Sequence, residues 1–237
     1  MGKTKVFALP NAGGTGKLFQ QLKSVLLQKD IKLFDMDYAH HGVRGKDPRY
    51  SSFSEMSDDM AERILSEIEE DEDIVLFGYS MGALVSYDIL SRCWKDDPTV
   101  KIKHVFLAAH EPPHIEFTGA KFADCDEKEF IDGMCKMGGL DERLLQNPRF
   151  LKIYMDLIRD DYRLINGYQW NGEKGTIAFP TTVFYSEEDT PHKNILQWRD
   201  YVKDKSGFQT FAFDGGHFFI KSHVEEIAYH ITNACQD

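Results

Sequence analysis

Asp73-Ile74-Val75-Leu76-Phe77-Gly78-Tyr79-Ser80-Met81-Gly82 is the stretch on which the reading of this chain turns. Its first five residues form a continuous apolar run behind one acid, the pattern of a strand buried on both faces. The run stops at Gly78, and residues 81–90 then carry a helical pattern. Between the two lies G-x-S-x-G, Gly78 to Gly82. A sharp strand-to-helix turn lifts the serine hydroxyl above the sheet edge, and glycines two before and two after relieve the crowding of that turn. A bare motif of this kind also arises from a glycine-containing turn with an incidental serine. The strand before it and the helix after it favour Ser80 as a nucleophile.

Outward from this stretch, residues 5–9 (KVFAL) read as a strand closed by Pro10-Asn11-Ala12-Gly13-Gly14. Leu18, Leu22, Val25 and Leu26 recur at helical spacing, residues 31–36 read as the next strand, and residues 53–70 as an amphipathic helix with Met56, Met60, Ile64 and Ile68 on one face. Residues 103–109, 177–185 and 208–213 supply further strands, the last two followed by helical patterns over 195–202 and 224–231. Strands alternating with helices predict an α/β architecture with a mostly parallel central sheet flanked by helices. From about 113 to 171 the alternation fails. Only helical patterns occur there, over 127–137, 142–146 and 150–165. Residues 113–171 are therefore expected to form a helical lid inserted into a core made of residues 1–112 and 172–237.

A serine nucleophile needs a base, and the base an orienting carboxylate. In the α/β-hydrolase fold, which the strand–motif–helix context predicts, their order is serine, acid, histidine, with the last two on loops after late strands. His217, in Asp214-Gly215-Gly216-His217-Phe218-Phe219, follows the final strand and is the expected base. Three carboxylates compete for the acid in Ser186-Glu187-Glu188-Asp189-Thr190. Asp189 is preferred, because it sits furthest into the loop and a short side chain suits a rigid bond to imidazole; Glu188 is the reserve. The oxyanion hole needs two converging backbone N–H groups. One is expected from Met81 at the helix start, the other from Ala12 in the turn after the first strand. A phosphate loop is excluded, since Gly16-Lys17 is followed by Leu18 and Asn11 stands where its first glycine belongs. Gly14-Thr15-Gly16 likewise lacks the third glycine of a dinucleotide turn.

The 237 residues suit one compact domain with an insertion, and 42% hydrophobic residues, 13% of the total aromatic, suffice for a sizeable core. A net charge of −11 disfavours nucleic acid. No apolar stretch approaches the roughly 18 residues of a membrane span, and the apolar run before Pro10 is too short for a signal peptide. Cys93, Cys125, Cys135 and Cys235 match no zinc spacing and read as reduced thiols. A soluble cytoplasmic protein is expected.

Taken together these residues resemble the type II thioesterases, the stand-alone editing enzymes of nonribosomal peptide and polyketide assembly lines. The resemblance runs almost end to end. It is carried by Leu9-Pro10-Asn11-Ala12-Gly13-Gly14 with Phe19 behind it, by Gly78-Tyr79-Ser80-Met81-Gly82-Ala83, by Asp189 and by Gly216-His217-Phe218-Phe219. The middle segment, from Gly138-Gly139-Leu140 through Leu157-Ile158-Arg159-Asp160-Asp161-Tyr162 to Tyr168, is similar to that family's helical lid. Three positions depart from the pattern. Asn11 stands where the family has histidine, Ser186 where glycine is common, and residues 38–44 match its Pro-Gly-Arg turn only loosely.

The resemblance implies hydrolysis of acyl thioesters carried on phosphopantetheine arms, through an acyl-enzyme on Ser80 with His217 as base. It implies an acylated carrier protein as partner, antibiotic-type biosynthesis as setting, a monomer, no cofactor, no metal, and no nucleic-acid or membrane partner. Met137, Phe150, Tyr154, Tyr162 and Tyr168 are candidate acyl-channel residues, although packing of the lid onto the core accounts for residues of these types more often. A carboxylesterase, a lipase-like enzyme or a fatty-acyl carrier-protein thioesterase would use the same three side chains. A catalytically silent binding module is the remaining alternative, and an intact Ser80, Asp189 and His217 argues against it.

Overall fold

The computed structural model describes residues 4–116, 122–140 and 145–236. In chain order the elements are β1 (Thr4–Leu9), α1 (Gln20–Leu27), β2 (Lys32–Asp35), α2 (Phe53–Ser66), β3 (Asp73–Tyr79), α3 (Met81–Asp88), β4 (Ile102–Ala108), α4 (Glu127–Lys136), α5 (Pro148–Asn166), β5 (Thr181–Tyr185), α6 (His192–Ile195), β6 (Phe208–Ala212) and α7 (Val224–Gln236). The six strands make one sheet in the order β2-β1-β3-β4-β5-β6, every neighbouring pair parallel.

Because side chains alternate along each strand, the sheet feeds two cores. Phe7, Leu9, Leu76, Val105, Leu107 and Val183 join Met56, Met60 and Ile64 of α2, the apolar residues of α3, and Met155, Ile158 and Tyr162 of α5 on one face. Val6, Ala8, Val75, Phe77, Phe106 and Phe184 join Leu22 and Leu26 of α1 and Ile227, Ala228 and Ile231 of α7 on the other. Burial on both faces explains why β3 reads as an unbroken apolar run.

Strand order reverses between β1 and β3, since β2 lies on one side of β1 and β3 on the other. At such a switch point the connections leave the carboxyl ends in opposite directions and open a crevice. The loop after β1 and the turn at Ser80 both leave from it. Gly78 aligns with Leu107, Leu107 with Val183, and Tyr185 with Ala212, so the loops after β3, β4, β5 and β6 emerge along one rim.

Several expected elements are shorter than their sequence patterns: the helix expected over 53–70 ends at Ser66, the strand over 31–36 spans Lys32–Asp35, and the helix over 81–90 ends at Asp88. The strand expected over 177–185 begins only at Thr181. Pro180, which has no N–H to give a ladder, precedes it, and Ile177 instead forms an isolated parallel bridge with Val202. The helix expected over 195–202 is α-helical only for His192–Ile195 and then tightens into a 3-10 turn over Leu196–Tyr201. Between 113 and 171 the described residues hold α4 and α5 and no strand. The helical pattern over 142–146 falls largely outside the described residues. No helix among the described residues is long and apolar enough to cross a membrane.

Candidate active site

Ser80 sits between β3 and α3 at φ +55°, a left-handed conformation that side chains other than glycine rarely adopt. The two flanking glycines are imposed by contact. A Cβ on Gly78 would lie 2.2 Å from the Gly82 carbonyl oxygen, and one on Gly82 would lie 2.0 Å from the carbonyl oxygen of Leu9. The second contact seats the start of α3 against the end of β1, beside the 11–14 turn. Ser80 N–H donates to the Ala108 carbonyl at 2.7 Å, and Ser80 is 5% exposed.

His217 Nε2 lies 3.0 Å from Ser80 Oγ, and its Nδ1 lies 2.9 and 3.0 Å from the two carboxylate oxygens of Asp189. A carboxylate at Nδ1 accepts the ring N–H there, which leaves Nε2 to accept from the serine hydroxyl. His217 is 7% exposed. The three acids of the 186–190 loop separate by partner. Glu188 Oε1 accepts from the Gly215 N–H at 3.2 Å and Glu187 Oε2 from the His192 N–H at 3.3 Å, so both serve backbone donors while Asp189 faces the imidazole.

Two side-chain contacts brace these loops, one from Tyr79, which the sequence patterns had not singled out, and one from Ser186. Tyr79, inside the serine motif, donates its hydroxyl to the His217 carbonyl at 2.6 Å. Ser186 donates its hydroxyl to the Gly215 carbonyl, tying the acid loop to the histidine loop. Its replacement of the glycine common in the resembled family is the signal that marked it.

Met81 is the first residue of α3, and Ala12 is buried in the same apolar cluster as Met81. The 11–14 turn is closed by Gly14 N–H donating to the Asn11 carbonyl at 2.9 Å and by Asn11 Nδ2 donating to the Ala12 carbonyl at 2.9 Å, with Gly13 at φ +66°. Gly13 N–H donates to Asp161 Oδ2 at 2.6 Å. Asp161 was not foreseen as part of the site, though a charged residue on the apolar stripe of an amphipathic helix is a readable signal. At the end of β4, His110 is buried beside the site with Nδ1 at 2.6 Å from the Glu111 carbonyl. Burial pushes its pKa down to about 4, with the His217 charge adding to the fall and Asp189 opposing it.

Four of the five candidate channel residues belong to or pack against one apolar cluster, and Phe150 does not. Tyr162 is buried on the inner face of α5, and burial raises its pKa. Tyr154 and Met137 are half-buried, and the Tyr154 hydroxyl donates to the Gly139 carbonyl at 3.3 Å. Tyr168 packs against Phe53 of α2 with ring centroids 4.8 Å apart. Phe150 is 61% exposed and points off the stripe that faces the core, so the structure does not bring it to the others. Among the described residues no group of three or more His, Cys, Asp or Glu side chains is arranged to hold a metal ion.

The Thioesterase domain family matches residues 4–235. Among curated proteins the chain is similar to the linear gramicidin dehydrogenase LgrE of Brevibacillus parabrevis, with 24% identity over 235 residues covering 98% of this chain and 87% of that protein. It is similar to the probable anguibactin biosynthesis thioesterase AngT of Vibrio anguillarum, with 24% identity over 217 residues covering 89% of this chain and 83% of that protein. Its fold superposes on the crystal structure of ClbQ from the colibactin NRPS/PKS pathway with a TM-score of 0.87, at 21% identity, covering 99% of this chain and 97% of that one. This chain therefore belongs to the Thioesterase domain family and has the α/β-hydrolase fold.

Proposed function

We propose that this protein hydrolyses acyl thioesters carried on the phosphopantetheine arms of carrier proteins, as a stand-alone editing thioesterase of nonribosomal peptide or polyketide synthesis. The observation that carries the reading is the hydrogen-bonded line from Ser80 Oγ through His217 to Asp189, in a chain of the Thioesterase domain family. The similarity to an anguibactin biosynthesis thioesterase along nearly its whole length supports the biosynthetic setting.

In the mechanism, Ser80 Oγ attacks the thioester carbonyl while His217 Nε2 takes the hydroxyl proton and Asp189 holds the ring at Nδ1. The negative charge that forms on the carbonyl oxygen is met by the amides of Ala12 and Met81. The C–S bond breaks, and the pantetheine sulfur leaves with the proton from His217. A thiol, with a pKa near ~8.5, needs less help to leave than an alcohol or amine. Water then gives a proton to His217 and adds its oxygen to the acyl carbon, the bond from that carbon to Ser80 Oγ breaks, and His217 returns the proton to Ser80 as the acid leaves. Residues 113–171 act as a lid over a core of residues 1–112 and 172–237. Tyr162, Tyr154 and Met137 are the lid residues proposed to meet the acyl chain. The protein works as a cytoplasmic monomer without cofactor.

A fluorophosphonate probe should label the wild type and fail to label Ser80→Ala, and acyl-enzyme trapping by mass spectrometry should place the acyl group on Ser80 with acylated carrier proteins as donors. An unlabelled wild type would overturn the serine mechanism. Faster turnover of simple p-nitrophenyl esters than of acylated carrier proteins would replace the carrier-protein substrate with a carboxylesterase's.

A further inference from the structure

The apolar stripe of α5, Leu151, Met155, Ile158, Tyr162 and Ile165, is interrupted by one buried carboxylate, Asp161. Its Oδ2 receives two donors at once, Gly13 N–H at 2.6 Å and His41 Nε2 at 2.9 Å. His41 is 3% exposed, and its other nitrogen, Nδ1, lies 2.9 Å from the Ala39 carbonyl oxygen. A carbonyl oxygen only accepts, so Nδ1 carries a proton. Nε2 faces a carboxylate oxygen that already accepts from Gly13, so it carries one too. The ring is thereby held as an imidazolium against a carboxylate.

We propose that the buried His41–Asp161 ion pair is a positioning device for the oxyanion loop, holding Gly13 and with it the neighbouring Ala12 amide in place only while His41 keeps both ring protons. The inference rests on the oxyanion role given above to Ala12. The pair joins three parts of the chain: the loop after β1, the loop after β2, and α5. Packing acts at the same point, since a Cβ on Gly13 would lie 2.1 Å from Ile158 Cγ1, so α5 rests directly on the turn.

The charged surroundings support the imidazolium. Burial by itself drives the proton off His41, but the hydrogen bond and charge of Asp161, the Ala39 carbonyl and Asp37 outweigh it and raise the pKa above its ordinary value. From α5, Asp160 faces the same region and pairs with Arg163 and with Arg49. On the loop that carries His41 itself, His40 and Tyr50 line the adjoining cleft. Tyr38 packs edge-on against the His41 ring and donates its hydroxyl to the Pro10 carbonyl at 2.9 Å. Since the folded-state pKa of His41 is raised, the contribution of the pair is full below the unfolded value and is lost as pH rises through the folded one. The neutral ring then has one proton for two acceptors, so either the Asp161 bond or the Ala39 bond is lost, and with it the ion pair that fixes Asp161 against Gly13.

The test follows both acyl-thioester turnover and the rate of fluorophosphonate labelling of Ser80, from about pH 6 to about pH 10. Labelling also places negative charge on an oxyanion-hole oxygen, and it needs no knowledge of the natural acyl group. Wild type should show an alkaline fall in both rates. His41→Leu should lose about 10- to 100-fold in kcat and in labelling rate, with KM changed less than about threefold, part of the loss expected for a missing oxyanion donor. His41→Gln, which keeps a donor toward Asp161 but cannot titrate, should recover much of the rate and lack the alkaline fall. A wild-type profile flat to about pH 10, or an unchanged alkaline fall in His41→Gln, overturns the proposal even if His41→Leu does not fold. Labelling without thioester turnover in wild type would sink the thioesterase reading alone.

Discussion

Ser80 owes its position to crowding around it. Its left-handed backbone persists because Gly78 and Gly82 allow β3, α3 and the end of β1 to approach at distances that a side chain would forbid. The division of labour among neighbouring acids is equally local. Asp189 meets His217, whereas Glu188 accepts from the Gly215 backbone. Asp189→Asn is expected to lower kcat on an acyl thioester by about 10⁴-fold, as loss of the orienting carboxylate does elsewhere, while Glu188→Gln stays within about tenfold of wild type. Comparable losses in the two variants would reassign the acid. From the local pattern, the choice of Asp189 over Glu188 rested on loop depth and side-chain length. The separate partners of the two carboxylates exist only once the 186–190 and 214–217 loops lie side by side.

At the scale of elements, helix α5 shows both the reach and the limit of pattern reading. Its apolar stripe is written in the spacing of Leu151, Met155, Ile158, Tyr162 and Ile165, and the helix forms there. Which aromatic residues turn inward is not set by residue type. Phe150 has the size of a channel residue yet stands outside the stripe. Phe150→Ser is therefore expected to leave the ranking of acyl-chain lengths unchanged in a thioester panel, within about twofold at each length, because the side chain starts exposed. A reordered preference would mean that Phe150 reaches the acyl group during turnover. The shortened fifth strand has a similar lesson. The run over 177–185 is rich in apolar, aromatic and β-branched residues, but Pro180 interrupts the donors a ladder needs, and Ile177 pairs outside the sheet.

Across the whole molecule, the reversal of strand order between β1 and β3 gathers the functional loops at one rim, and buried polar groups accumulate there. His110 shows the stability consequence. Its pKa in the folded protein is pushed down to about 4 by burial, so the unfolded chain binds a proton that the folded one refuses. Stability from this group is full above the unfolded value near 6.5, falls as pH drops below it, and levels off below about 4. The loss is on the order of 3 kcal/mol between those limits. Urea denaturation at pH 7 and pH 4.5 should show His110→Leu losing less stability on acidification than wild type; parallel losses would mean that His110 takes up its proton without cost in the folded state.

Periodicity and punctuation in the sequence by themselves determined the α/β class, the parallel sheet and the loops on which Ser80, Asp189 and His217 lie. They could do so because a strand buried on both faces, a glycine-flanked turn and an amphipathic helix each write their own local chemistry into consecutive residues. Contacts between distant segments left no such trace. The Tyr79 bond to the His217 carbonyl spans 138 positions, the Gly13 bond to Asp161 spans 148, and the His41 bond to Asp161 spans 120. The first depends on how the sheet brings the ends of β3 and β6 together and the other two on where α5 settles across its rim, and those outcomes belong to the packing of the whole chain rather than to any window of it.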